Sequence, residues 1–126
     1  MHLDVTTRII GSDAVLVADG EIDLTSCRHL QEKLEQVRST PAEAVVIDLT
    51  GVQFIDSTGL SVLVEGARDA RNDGRAFGVV AGGHLWELLR ITGLDTVMEV
   101  HHSLDDALGA QKHDDPALRN DAAPLT

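Results

Sequence analysis

Val45 to Ala67 reads VVIDLTGVQFIDSTGLSVLVEGA, and two periodicities meet inside it. Val45-Val46-Ile47-Asp48-Leu49 is a short β-branched apolar run, the pattern of a buried strand. From Leu60 onward the apolar residues Leu60, Leu63, Val64 and Ala67 recur at three- and four-residue steps, which describes one face of an amphipathic helix. Between them stand the apolar pair Phe54-Ile55 and then Asp56-Ser57-Thr58-Gly59. Small polar residues of this kind favour a helix N-terminus, where their side chains satisfy backbone N–H groups that the helix leaves over. Those N–H groups and the helix dipole also favour an anion. The stretch therefore delivers a serine hydroxyl to a place suited to a phosphate.

Upstream, Leu3, Val5, Thr7 and Ile9 alternate and predict a first strand over residues 3–10, at a sheet edge. Gly11-Ser12-Asp13 is turn chemistry, and Ala14 to Ala18 is a second strand that pairs with the first as a hairpin. Gly20-Glu21-Ile22-Asp23 leaves that strand. Asp23, Thr25 and Ser26 then compete to cap a helix whose apolar face is Cys27, Leu30, Leu34 and Val37, ended by Ser39-Thr40-Pro41. Downstream, Asn72-Asp73-Gly74 stops the central helix. Ala76 to Ala81 predicts a fourth strand, His84 to Thr92 a short helix buried through Leu85, Leu88 and Leu89, and Thr96 to Val100 a fifth strand. Ser103, with Asp105-Asp106 behind it, starts a last helix. From Lys112 the chain turns polar and alanine-rich with two prolines, which predicts a domain over 1–111 and a disordered tail over 112–126. Strands alternating with helices after a hairpin give an α/β domain around a mixed sheet.

Composition narrows the function. The 126 residues suffice for one domain with its own core. A net charge of −11, with no Tyr, two Phe and one Trp, lacks both the basic footprint and the aromatic platforms of a nucleic-acid binder. Such a surface suits a basic patch on a protein partner. No apolar run approaches the ~20 residues that span a bilayer, and MHLDVTTRII has no signal-peptide core, so neither membrane nor export is expected. The single cysteine, Cys27, fits a small core hydrophobe in a reducing, cytoplasmic setting.

Asp56-Ser57-Thr58-Gly59-Leu60, after a strand ending Ile47-Asp48-Leu49, resembles the signature of the STAS domain family, and is most similar to the small bacterial anti-sigma factor antagonists. Gly20-Glu21-Ile22-Asp23 matches that family's second marker, a G-E-[LI]-D turn after the second strand. The resemblance runs from about Leu3 to about Leu108. It implies a STAS-type single domain, a mixed sheet of about five strands packed with about four helices. It also implies phosphorylation at Ser57, with Asp23 nearby to help position the hydroxyl. Asp56, Thr58, Gly59, Leu60, Ser61 and Glu65 then surround the phosphosite and contact the partner, and Arg68 belongs to the same variable surface. On this resemblance the unphosphorylated protein binds an anti-sigma factor and frees a sigma factor. The anti-sigma factor is a serine kinase with a Bergerat-type ATP site, and a metal-dependent serine phosphatase reverses its action.

Other chemistry finds little footing. Residues 56–58 also read simply as helix-capping types, Gly59 as either a close-approach or a loosely packed residue, and Gly20 as a residue needing an unusual backbone angle. Ile55 rules out G-x-S-x-G around Ser57, no phosphate-loop motif occurs, and Gly82-Gly83 lies in no dinucleotide fingerprint. His101-His102 lacks the spacing of a helical metal site and reads as exposed strand-end residues. Asp105-Asp106 and Asp114-Asp115 read as solvated charge, and Trp86 as partly buried. No catalysis, metal or cofactor is expected of the chain itself. Two rival readings are a STAS subunit of a larger scaffold, marked by a stable high-mass assembly, and a nucleotide or lipid sensor, marked by ligand-raised thermal stability.

Overall fold

The computed structural model describes residues 2–113. Along them run β1 (Leu3–Ile10), β2 (Asp13–Ile22), α1 (Cys27–Arg38), β3 (Ala44–Ile55), α2 (Ser57–Asn72), β4 (Ala76–Val80), α3 (Gly83–Ile91), β5 (Glu99–His101) and α4 (Leu104–His113), with one 3-10 turn at Leu94–Thr96. The sheet order is β1-β2-β3-β4-β5. β1 and β2 form the expected antiparallel hairpin, and the other three pairings are parallel. Each parallel step needs a crossover, which α1, α2 and α3 supply. This is the mixed α/β architecture that the alternation of strand and helix patterns implied.

Strand residues alternate faces, so the run Val45-Val46-Ile47 feeds two cores. Val45 and Ile47 join Leu16, Ile22 and Leu49 beneath Leu30 of α1, Leu63 of α2 and Leu89 of α3. Val46 points the other way and joins Val15 and Val80 under Ala107 of α4. Burial on both faces explains why the run is continuous instead of alternating. At the far end of the helical layer, Arg75 donates to the carbonyls of Val37 (2.8 Å) and Arg38 (2.9 Å), closing the open end of α1. Arg38 in turn pairs with Asp73 through Nε at 2.8 Å.

Two strands run further than their sequence pattern indicated. β3 continues past Thr50-Gly51 to Ile55, and β2 through Gly20-Glu21-Ile22. Thr-Gly resembles a strand end, but parallel pairing carries the chain on, matching Asp19 with Gly51, Gly20 with Val52, Glu21 with Phe54 and Ile22 with Ile55. Register shifts between Val17 and Asp19 and between Gly20 and Glu21 accommodate the irregularity. Gly20 has φ +117, and a Cβ there would lie 2.1 Å from the His2 carbonyl oxygen. Gly20-Glu21-Ile22 is therefore the irregular end of a strand, and the turn begins only at Asp23. The fifth strand also shifts, because Leu94–Thr96 curl into the 3-10 turn and pairing starts at Glu99. α4 extends through Lys112 and His113, and residues 114–126, with Asp114-Asp115 and most of the expected tail, lie outside the described residues.

Leu63 is fully buried and Ile91 is 72% exposed, although both are apolar residues on helices. Leu63→Ala should lower unfolding free energy by about 2–5 kcal/mol. Ile91→Ala should change it by no more than about 0.5 kcal/mol. Urea titrations followed by circular dichroism check both.

Candidate functional site

β2 and β3 end side by side, and their pairing continues one residue past β3: the Asp56 N–H donates to the carbonyl of Ile22, the last residue of β2, at 3.1 Å. That bond holds the turn after β2 against the first turn of α2. Asp56 is the N-cap of α2, with extended backbone (φ −102). Its carboxylate accepts from the Gly59 N–H at 3.0 Å and from the Thr58 hydroxyl. The Thr58 hydroxyl, and then the Gly59 N–H, hold the Asp56 carboxyl below the usual carboxylate range, while the charge of Asp23 works against them.

Ser57 sits between these two capping residues and is exposed. Its hydroxyl makes no hydrogen bond among the described residues; only its carbonyl is used, accepting from the Ser61 hydroxyl at 3.0 Å. Of the three small polar residues, the outer two have their side chains committed to the helix start and the middle one does not.

Asp23 is buried, with 8% exposure. Its carboxylate accepts from the Thr25 hydroxyl (2.8 Å), the Thr25 N–H (3.0 Å) and the Ser26 N–H (3.0 Å). The Thr25 hydroxyl is the main cause of its lowered pKa, reinforced by Ser26. The Ser26 hydroxyl donates to the Glu21 carbonyl at 2.7 Å and accepts from the Asp23 N–H. The three residues that competed to cap α1 thus build one turn ahead of it. Asp23 makes no hydrogen bond to Ser57 among the described residues; it reaches the site through its charge, felt at Asp56.

Gly59 is buried on the inner side of α2's first turn. A Cβ there would lie 2.5 Å from Ile55 Cγ1 and 2.7 Å from Ile22 Cγ2, so the close approach it permits is to the chain's own strand ends. Leu60, Ser61, Glu65 and Arg68 line one open groove of about 360 Å³, with Thr92 and Leu94 on its other wall. Sequence reasoning did not place those two residues there. It also passed over Leu24 (74% exposed) in the turn after β2 and Phe54 (45% exposed) at the end of β3. Strand alternation was the available signal for Phe54, since its neighbour Ile55 faces the core.

One expectation needs correction. His101 is not an exposed strand-end residue: its side chain is 15% exposed, facing Glu99 at 3.7 Å, and its Nε2 is buried without a hydrogen bond. His102 stacks on Trp86 with ring centroids 3.6 Å apart, which accounts for the partial burial expected of that tryptophan. Cys27 lies at the start of α1, half-buried, packing at the edge of the larger core.

A family model described as "Mlab, STAS domain" matches residues 5–105, most of the chain. The chain belongs to the STAS domain family. This STAS chain is 38% identical over 98 residues to an anti-sigma-F factor antagonist, RsfB, of Mycobacterium tuberculosis, covering 75% of this chain and 78% of the relative. A crystal structure of an anti-sigma factor antagonist from Mycobacterium paratuberculosis superposes with a TM-score of 0.82 at 30% identity, covering 88% of this chain and 95% of the other. The Bacillus cell fate determinant SpoIIAA in its phosphorylated form shares the fold, with a TM-score of 0.66 at 13% identity over 85% of this chain and 98% of the other.

Two outcomes follow from the STAS site's geometry. Gly59→Ala forces a methyl group against Ile22 and Ile55 and should cost about 1–3 kcal/mol of stability, read from a urea midpoint. Asp23 and Asp56 both have folded pKa values below the ordinary 3.8. Their stabilisation is complete above that value and is lost as pH falls through it toward the depressed folded values. Acid titration should show stability dropping below about pH 4, and Asp23→Asn with Asp56→Asn should flatten that drop.

Proposed function

We propose that this STAS protein is a cytoplasmic anti-sigma factor antagonist that works by partner switching. In its unphosphorylated form it binds an anti-sigma factor and frees a sigma factor, and phosphorylation at Ser57 ends the complex. The observation that carries the reading is the state of Ser57: exposed at a helix N-terminus, its hydroxyl uncommitted between two neighbours that do the capping. The names of the mycobacterial relatives support the partner class. The anti-sigma factor acts as the serine kinase, and a serine phosphatase restores the active form.

The physics of the switch follows from this placement. A phosphoserine adds about −1.5 to −2 charge at neutral pH. At the start of α2 it meets the positive end of the helix dipole, so the fold tolerates it. Asp56, held ionised, and Asp23 behind it repel the phosphate and turn it outward. The cost falls on the docked partner, which would have to desolvate a dianion. Thr58, Gly59 and Leu60 shape the rim, and Ser61 and Glu65 extend the contact along α2. An acidic surface of net charge −11 selects a basic patch on the partner.

Pull-downs from the native cell with wild type, Ser57→Ala and Ser57→Asp, read by mass spectrometry, test the proposal. A kinase-type anti-sigma factor should come down with wild type and Ser57→Ala and be lost with Ser57→Asp, whose affinity falls about 100-fold, roughly 2.7 kcal/mol. The thermal unfolding midpoint should stay the same in all three. Identical partners throughout, with no phosphate on Ser57, would replace the switch with the scaffold reading.

A further inference from the structure

Among the described residues β1 is an open sheet edge, and its chemistry is self-complementary. Its pairing with β2 runs from Leu3 opposite Gly20 to Ile10 opposite Asp13 without a register shift. The Glu21 N–H donates to the His2 carbonyl at 2.9 Å, so His2 and the even residues after it turn their N–H and C=O groups toward β2. Leu3, Val5, Thr7 and Ile9 therefore direct theirs away from the sheet. Proteins usually blunt such an edge with proline, a bulge or like charges. β1 has neither proline nor bulge, and its one acid, Asp4, is matched by one base, Arg8. The strand is thus neutral in a chain of net charge −11. Thr6, Thr7, Arg8 and Ile9 are all exposed, and Ile9 is 63% accessible.

The geometry points to a second copy of this chain as the occupant, joined β1 to β1 antiparallel about a two-fold axis at Thr6. Outward-facing groups must meet outward-facing groups, so odd residues pair with odd ones. Among such registers, the one that sets Leu3 opposite Ile9 and Val5 opposite Thr7 also sets Asp4 opposite Arg8 twice, once on each side of the axis. Shifting by one pair in either direction loses both ion pairs: Asp4 then meets Thr6 or Ile10. Asp4 and Arg8 fall at non-hydrogen-bonded positions, where side chains come closest, and Thr6 meets its own copy with Cα atoms ~4.5 Å apart. Asp4 already contacts His2 through Oδ2 at 3.0 Å, which leaves Oδ1 for the arginine. Ile9 is covered by Leu3 of the partner subunit, and the five-stranded sheet doubles. The two-fold makes the contact closed, so the edge ends in a dimer and not in a fibre.

Sedimentation equilibrium of the full chain tests this, together with charge reversal and directed cross-linking. Wild type should run at twice the 13.5 kDa chain mass in the micromolar range. Arg8→Asp turns two attractive pairs into two repulsive ones and should raise the dimer Kd about tenfold or more, and Asp4→Arg combined with Arg8→Asp should restore it. In a Cys27→Ser background, Thr6→Cys should oxidise to a covalent dimer while Thr7→Cys should not, a readout that depends on register. Circular dichroism verifies that each variant is folded. A wild type that stays monomeric at high micromolar concentration overturns the inference. So does a dimer that Arg8→Asp leaves intact and Thr6→Cys does not trap. A monomer whose Val5 and Thr7 amides exchange slowly assigns the edge to the chain's own residues 114–126 and equally overturns it.

Discussion

The hydrogen bond from the Asp56 N–H to the Ile22 carbonyl is the contact on which the site depends. It carries the parallel pairing one residue beyond β3, onto the last residue of β2, so the chain cannot leave β3 until it stands beside the turn after β2. With Asp56 held in extended backbone at that point, its carboxylate folds back over the first turn of α2 and caps it. The helix then starts so near the sheet that only a residue without a side chain fits at Gly59, between Ile22 and Ile55. One backbone bond thus sets the cap, the glycine and the position of the serine between them.

Two carboxylates stand close together here, yet both remain ionised. Each has its own donors: Thr58 and Gly59 for Asp56, and Thr25 and Ser26 for Asp23. Local hydrogen bonds to the charged form outweigh burial at both residues and, at Asp56, the charge of Asp23 as well, which is the ordering needed to keep two acids charged in one site. The helix dipole adds to the stabilisation of Asp56 at the N-terminus. The resulting field is negative at a position whose backbone otherwise attracts anions. A group added to Ser57 would therefore be held by the helix end and pushed outward by the two acids at once.

Much of this was legible in the sequence, because short-range patterns specify it. The change of period between Leu49 and Leu60, and the small polar residues between them, located α2 and its exposed serine. What escaped was set at long range. β3 runs to Ile55 because β2 lies beside it, and nothing in Thr50-Gly51 says so. Asp23 is a different case, because the contest is local: its neighbours Thr25 and Ser26 both bond its carboxylate, an outcome that geometry shows and residue types leave open. His101 looked like a strand-end residue in solvent. α4 returns across the second face of the sheet and packs on β5, which buries it. Its neighbour His102 meets Trp86 across fifteen intervening residues, beyond any periodic signal.

Sheet order also separates the two interactions proposed for this molecule. The serine lies at the end of β3 and the open edge is β1, with β2 between them. β2 reaches the site at Ile22, just beyond the pairing of Gly20 with Leu3, so Ser57 lies toward the Leu3 end of β1. A two-fold at Thr6 reverses the second strand and would carry the second serine to the opposite end of the doubled sheet. Neither copy would cover the other's α2 N-terminus, and the neutral strand would keep the acidic sites apart. Charge added at Ser57 would then act on whatever docks there and leave the edge contact alone. Conversely, a partner that grips α2 would meet the same surface on one copy or two, and pairing would change only how many such surfaces one assembly presents.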